Sequence, residues 1–340
     1  SESFFSVVFH FFCNFFEPAV DGLGKRRLTM SKRPRWLKGD AVYCETQRTV
    51  DRQFFFKPDE HVRNIIGVAA GRAQEKYPVK LFWLDFNINH KHTGKAPISD
   101  TPEHLENLVR FDQLFNSLVA RGINKYLGRE GPLFSTRNRS DEAIDDLSLE
   151  RQLLYAVTNP VKDGLVDRAA HWKGFSSYEQ LATGKVERFS YIDWTAWHRA
   201  GGKRSKKPPE AFVKRTEVKL SPIPAWEDLP RHKQQALFRR RVREVEGELR
   251  AEREREGKGV MGQRKLSKLD HRDRPKGPPK DQGRQPLCHS STREGALEYE
   301  ERLRAFLESY YQASGLWLSG VTDVEFPRGS FKPPPPRIAA

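Results

Sequence analysis

Five segments of the sequence alternate between strand-like and helix-like patterns, and this order limits what the chain can fold into. Residues 41–50 and 79–92 are rich in β-branched and aromatic side chains, which favours strands. Residues 58–77, 101–128 and 140–160 repeat apolar side chains at helical spacing. The order strand, helix, strand or strands, helix, helix predicts an α+β fold, an antiparallel sheet with helices packed on one face.

The sequence changes character after this region, which predicts four parts. Residues 1–33 are predicted to be an N-terminal extension outside the fold, since Met30 opens a basic stretch typical of a protein start. Residues 34–180 form the α+β domain, and 181–230 a basic linker that contains Gly and Pro. Residues 231–340 form a charged, helical and partly disordered accessory region that ends in a proline-rich tail.

The charge of the chain favours a polyanionic partner. The 340 residues carry a net charge of +15, with a pI near 9.7 and a mean hydropathy of −0.75. Such a field attracts nucleic acid or an acidic membrane surface. The alternative is a soluble protein that is merely basic. The three cysteines are too far apart in sequence for a zinc knuckle or a disulfide framework, so we expect a reducing, cytoplasmic setting. The apolar run near the N-terminus is too short to cross a bilayer, and no membrane partner is expected.

Two histidines close the second strand-like segment. His90 and His92 are two residues apart, so on a strand both side chains point to the same face, and Lys91 points to the other. Two imidazoles can bind a divalent ion when further ligands complete the site. The alternative interpretation is a pair of surface histidines without a function.

A tyrosine and an asparagine are paired on the last helix of the domain. Tyr155 and Asn159 are four residues apart, so they share a helix face, at the margin of the apolar stripe. This pattern is compatible with a reactive phenol beside a carboxamide. It is equally compatible with a tyrosine at the edge of the core and an asparagine that ends a helix before Pro160.

Together these motifs resemble those of the HUH single-tyrosine transposases, especially the REP-associated tyrosine transposases. Asn89-His90-Lys91-His92 is similar to the family's His-hydrophobic-His strand. Tyr155, Asn159-Pro160 and Gly164-Leu165-Val166, followed by Trp172, are similar to its tyrosine helix. The resemblance covers about residues 38–180 and implies a ferredoxin-like HUH fold.

The resemblance also implies a reaction and a set of roles. Tyr155 would attack a DNA phosphate and form a 5′-phosphotyrosine, as in the transposition of a mobile element. His90, His92 and Asn159 would hold Mg²⁺ or Mn²⁺. The substrate would be single-stranded DNA with a hairpin, and family members commonly act as homodimers. Arg48 and Arg52, after the first strand, are the candidate DNA contacts.

The chain departs from the family pattern between and after the histidines. Lys91 stands where the family has a bulky apolar residue, and Thr93-Gly94-Lys95 follows where an apolar strand is usual. A buried lysine needs a partner, loses its charge or extends to an edge of the sheet. Two functions are therefore kept: an active DNA-cleaving transposase, and a decayed or domesticated relative that only binds DNA. An unrelated basic nucleic-acid-binding protein is the third interpretation.

Overall fold

The computed structural model describes residues 33–204, 206–277 and 286–334. The predicted N-terminal extension lies outside the described residues apart from Arg33, and so does the end of the proline-rich tail. In the described part of the chain the strands are β1 Val42–Arg48, β2 Lys80–Phe86, β3 His90–Ala96, β4 Arg139–Ala143, β5 Arg188–Ile192, β6 Val213–Glu217 and β7 Cys288–His289.

The helices of the same residues are α1 Glu60–Lys76, α2 Pro102–Leu127, α3 Asp146–Lys162, α4 Tyr178–Thr183, α5 Trp194–Arg199, α6 Arg231–Arg255, α7 Gln263–Leu266 and α8 Arg293–Leu318. Short 3₁₀ turns lie at Val50–Arg52, Ala169–His171, Gly202–Arg204, Pro209–Phe212 and Pro224–Trp226. Side chains cap the long helices as the sequence indicates: Asp59 caps α1, and Thr101 caps α2 with Pro102 in the first turn.

The main sheet has the strand order β2-β3-β1-β4-β7. The first four strands pair antiparallel, and β7 pairs parallel to β4. The predicted class, α+β with an antiparallel sheet, is confirmed. β3 lies between β1 and β2, so the two histidines stand inside the sheet and not at its edge.

Helices cover both faces of this sheet, whereas the sequence predicted one. Tyr43 of β1 packs in a core with Ile66 of α1 and Phe111 of α2. Its neighbour Val42 packs on the opposite side with Leu153 of α3. Side chains of a strand alternate between faces, and the strands of this sheet are apolar or buried on both. Both faces therefore need a helical cover.

We name the two faces by the residues of β3. The imidazole face carries His90 and His92 and packs against α3 and α6. The lysine face carries Lys91 and Lys95 and packs against α1 and α2.

Two local predictions around the site, the start and the end of α3, are wrong. Residues 139–143 form β4, and α3 begins at Asp146 with Asp145 as its cap, not near Ser140. Pro160 lies inside α3, which ends two residues later. The missing N–H removes one hydrogen bond, and the last turn tolerates this loss. β3 continues through Thr93-Gly94-Lys95, the polar residues that follow His92, because it pairs with β1 and β2 as far as Lys95.

The later part of the chain packs onto the same sheet and helices. Within the stretch predicted as a linker, β5 and β6 form a hairpin that lies against α1, where Asn64 bonds Ser190. Phe238 and Val242 of α6 join the core that covers α3. α8 packs on Trp36, which stacks on Phe306 at 5.0 Å between ring centroids. In the described residues, no helix combines the length and apolar character needed to span a membrane.

Candidate functional site

The two histidines lie side by side in the middle of the sheet. Their ring centroids are 5.0 Å apart, and the planes are nearly perpendicular. Arg48 of β1 pairs with His90, while His92 pairs with Thr46 of β1 and Asp85 of β2. His92 is only 8% exposed, and His90 is half-buried. The sheet therefore fixes both rings, and His90 is the more accessible of the two.

An oxygen atom orients each imidazole through Nδ1. Asn89 Oδ1 lies 2.7 Å from His90 Nδ1, and an amide oxygen only accepts, so the proton of His90 is on Nδ1. Thr46 Oγ1 lies 3.0 Å from His92 Nδ1. Asn159 Nδ2 lies 3.4 Å from His92 Nε2 and only donates, so His92 also carries its proton on Nδ1. Both Nε2 atoms are thus unprotonated acceptors, and Asn159 faces that of His92.

The turn after β1 holds Asn89 in place. Asn89 Nδ2 donates to the Arg52 carbonyl at 3.2 Å, and the Asn89 carbonyl accepts from Thr49 N at 2.9 Å. Asp51 and Arg52 both adopt left-handed backbone, with φ of 51° and 57°. Such backbone costs about 1–2 kcal/mol for each residue that is not glycine. In this strained turn the Arg52 carbonyl accepts from Asn89, the residue that orients His90.

Tyr155 of α3 lies against the histidine pair. Its ring centroid is 5.3 Å from that of His92, at 84° between planes, and its side chain is half-buried. Lys162, two turns later on the same helix, places its ammonium 4.5 Å from the centre of the Tyr155 ring. A phenol, two imidazoles and an ammonium therefore meet where α3 crosses β3.

Asn159 is buried between the histidines and a second asparagine. Its side chain accepts a hydrogen bond from Asn87 Nδ2, which also donates to Asp163 Oδ2 at 2.7 Å. Sequence reasoning missed Asn87 and Asp163. The only signal for Asn87 was its place three residues before His90 at the end of β2, where a side chain faces the α3 side of the sheet.

The environment keeps both imidazoles neutral near pH 7. Burial, with Arg48 as the next cause, lowers the pKa of His90 to about 4. Burial and then the neighbouring His90 hold the pKa of His92 well below its ordinary value. Neutral imidazole is the form that binds metal ions.

Next to His92 in the sheet, burial raises the pKa of Asp85 to about 6, although bonds from Ser176 and Ser177 oppose the rise. The Asp85 carboxylate accepts from these serines and is not counted among the candidate metal ligands.

The donor set fits a divalent ion but lacks an acid. Two neutral imidazoles with fixed Nδ1 protons and one amide are ligands for such an ion. Among the described residues, no group of three His, Cys, Asp or Glu side chains could hold a metal. Asn159 would have to turn its oxygen from Asn87 to the histidines to complete the set.

The two arginines predicted to contact DNA differ in their surroundings. Arg48 is exposed at the end of β1 and close enough to lower the pKa of both histidines. Arg52 donates through Nη2 to the Gly277 carbonyl at 2.8 Å. Arg48 therefore belongs to the site itself, and Arg52 joins the turn to a later part of the chain.

Lys91 lies fully buried on the opposite face and does not extend to an edge. Its ammonium is 5.3 Å from the centre of the Phe115 ring, and burial lowers its pKa. Lys95 Nζ lies 3.0 Å from Glu45 and also contacts Asp112. Lys91 is thus part of a buried charge cluster with Lys95, Glu45 and Asp112. His92 stays in register with Thr46 of β1.

Comparison with known proteins gives distant structural likeness alone. No protein family and no curated protein matches the sequence. A solved structure of a REP-associated tyrosine transposase bound to a REP hairpin is similar to 45% of this chain and to 85% of that chain, at 17% identity and a TM-score of 0.34. A likeness at this level carries no argument, so the proposals below depend on the side chains of the site.

Proposed function

We propose that this protein binds single-stranded DNA bearing a hairpin and cleaves and rejoins it through a covalent bond to Tyr155. The supporting observation is the convergence of Tyr155 and Asn159 of α3 with His90 and His92 of β3. All four side chains come from one chain, so the proposal does not require the homodimer, which stays a prediction. The cytoplasmic setting also stays a prediction.

In the proposed reaction Tyr155 Oη attacks a backbone phosphorus. The bond from phosphorus to the 3′ oxygen breaks, the phenol proton goes to solvent, and the 3′ oxygen leaves as a hydroxyl that takes a proton from water. The 5′ phosphate stays on the tyrosine, so the reverse attack by a 3′ hydroxyl rejoins a strand. The Lys162 ammonium stabilises the charge that develops on the phenol and the phosphate.

His90, His92 and Asn159 would hold Mg²⁺ or Mn²⁺ in this proposal. When bound, the ion would stabilise charge on the scissile phosphate. Thr46 and Asn89 keep the two imidazoles turned toward it, and Arg48 contributes a positive charge beside His90. Two imidazoles favour Mn²⁺ over Mg²⁺, because Mg²⁺ prefers oxygen ligands.

DNA binding without cleavage is the second candidate, and one observation favours it. The Asn159 oxygen is engaged by Asn87, and the described residues hold no group of three His, Cys, Asp or Glu side chains that could bind a metal ion. If the Asn159 oxygen cannot turn toward the ion, the site would lack one metal ligand. The positive side chains around it would still bind DNA, but the strand would not be cleaved.

A covalent-adduct assay separates the two functions. The protein is incubated with Mn²⁺ and a labelled pool of single-stranded DNA with hairpins, and adducts are separated on a denaturing gel. We expect an adduct that is lost in Tyr155→Phe and kept in Tyr191→Phe, a matched control on β5. An equal adduct in Tyr155→Phe would contradict the nucleophile. Salt-sensitive DNA binding with no adduct in any variant would support the binding-only function.

A further inference from the structure

A basic segment of the C-terminal half lies across the edge of the site. We name residues 261–277 the basic strap. It carries six Lys and Arg side chains against two Asp: Arg264, Lys265, Lys268, Arg272, Arg274 and Lys276 against Asp270 and Asp273. The strap follows α6 and contains the single turn of α7.

One end of the strap is fixed to the end of the tyrosine helix. Met261 N donates to the Gly164 carbonyl at 2.8 Å, and Gly262 N donates to the Leu165 carbonyl at 3.0 Å. Leu266 is fully buried in the core that covers α3. Gly164 and Leu165 follow directly after α3, so this end lies next to the helix that carries Tyr155 and Lys162.

The other end is fixed to the turn that orients His90. Phe54 N donates to the Asp273 carbonyl at 2.9 Å, and Lys57 Nζ donates to the Leu269 carbonyl at 2.6 Å. Arg52 Nη2 donates to the Gly277 carbonyl, and the Arg52 carbonyl accepts from Asn89. The strap thus runs from the tyrosine side of the site to the histidine side.

The anchors use the backbone of the strap, which leaves its cations in solvent. All six Lys and Arg side chains are exposed, and none forms an ion pair with a residue that the structure describes. The two carboxylates accept hydrogen bonds from the backbone of the strap: Asp270 accepts from Arg272 N, and Asp273 accepts from Asp270 N. A row of unneutralised cations beside the site favours binding of a polyanion.

We propose that the basic strap binds the sugar-phosphate backbone of the single strand next to Tyr155. The proposal deepens the proposed function and rests on it for the choice of single-stranded DNA. Apart from His271, which faces Tyr126, the strap has no aromatic side chain on which a base could stack. Its contribution is therefore electrostatic and independent of sequence.

The test measures how DNA affinity depends on salt. Fluorescence anisotropy follows binding of a labelled random-sequence single-stranded DNA by the full chain over a series of salt concentrations. In the variant Arg264→Gln/Lys265→Gln/Lys268→Gln, loss of three phosphate contacts should reduce the slope of log K against log salt by about 2, since each contact contributes about 0.7. The three side chains are exposed, and far-UV circular dichroism checks that the fold is kept.

A matched variant removes the same charge from residues outside the strap. Arg199, Lys203 and Lys206 are exposed near the hairpin that lies against α1, behind the lysine face. Changing them to Gln should leave the slope as in the unmodified protein. An equal loss in both variants, or no change in the strap variant, would overturn the proposal. Loss of binding to phosphatidylserine vesicles with an unchanged DNA slope would overturn it as well and point to a membrane.

The result of the salt-dependence measurement can be distinguished from the result of the covalent-adduct assay. The binding measurement needs neither metal nor chemistry, and Tyr155→Phe should give the unmodified slope. If the adduct forms but the strap variant keeps its slope, the strap proposal fails and the reaction stands. If no adduct forms but the slope falls, the strap proposal stands and the reaction fails.

Discussion

The polar side chains on the two faces of β3 differ in charge: the imidazoles on one face are neutral, and the lysines on the other lie in a buried charge cluster. On the imidazole face, burial keeps His90 and His92 neutral, and amide and hydroxyl groups orient them. On the lysine face, Lys95 keeps contact with two buried carboxylates, Glu45 and Asp112. One face of the strand holds groups ready for a ligand, and the other satisfies its charges internally. We therefore expect changes on the first face to affect chemistry and changes on the second to affect stability.

The buried charges perturb one another strongly. Burial alone would raise the pKa of Glu45, but Lys95 and then Lys91 lower it to about 2 from an ordinary value of 4.5. A carboxyl with a lowered pKa contributes stability that is fully present above pH 4.5 and is lost as the pH falls toward 2. The cluster is therefore sensitive to the loss of Lys95, the cation that contacts both carboxylates.

The largest expected effect is the loss of the central cation. Lys95→Met leaves Glu45 and Asp112 buried without it and should lower the free energy of unfolding by about 3–5 kcal/mol. Urea unfolding at pH 7 measures this. The deficit should shrink near pH 3, where Glu45 takes up a proton in the variant. A deficit below 1 kcal/mol would mean that the lysine face is not held by charge, and the comparison of the two faces would fail.

The next prediction concerns close packing on the imidazole face. A Cβ on Gly94 would come within 2.3 Å of the Trp83 ring, so Gly94→Ala should destabilise the protein by about 1–3 kcal/mol. Gly259→Ala is the matched control, because a Cβ there meets nothing within 4 Å. Equal melting temperatures for the two variants would show that Trp83 does not pack on β3 as described.

A smaller effect, on chemistry alone, is expected at Asn89. Asn89→Ala frees the His90 ring and should slow adduct formation about 10–100-fold, as is usual when the partner of a metal-binding histidine is removed. Asn89→Asp keeps an acceptor for Nδ1 and should restore much of the rate. Asn64→Ala, which removes two hydrogen bonds to the distant hairpin, is the control. If all three variants react at the same rate, His90 is not oriented by Asn89.

The smallest effect is predicted for Lys91, the charged residue between the two histidines. Lys91→Met removes a buried cation and leaves Lys95 and Arg35 to balance Glu45 and Asp112. It should stabilise the protein by about 1 kcal/mol, since an apolar side chain of similar size avoids the cost of burying a charge. Urea unfolding that shows a loss of 2 kcal/mol or more would make Lys91 an essential member of the cluster.

Much of the fold was readable from the sequence because its signals are local. The cap and apolar stripe of α2 gave its bounds to within one residue, and the spacing of His90 and His92 gave their common face. The start of α3 was missed because Ser140 looks like a cap but pairs in β4. Only long-range contact could reveal this, and the same holds for the partners of Lys91 and the bonds of Asn87.

The covering of α3 by α6 has a consequence for how the protein is made. A ribosome completes the helix with Tyr155 well before it reaches Phe238, Val242 and Leu266, which bury that helix. The nascent chain therefore exposes the apolar side of α3 until residues 238–266 have been made. A premature stop codon after Pro230 should release chains that scatter light as aggregates, and not a smaller folded protein.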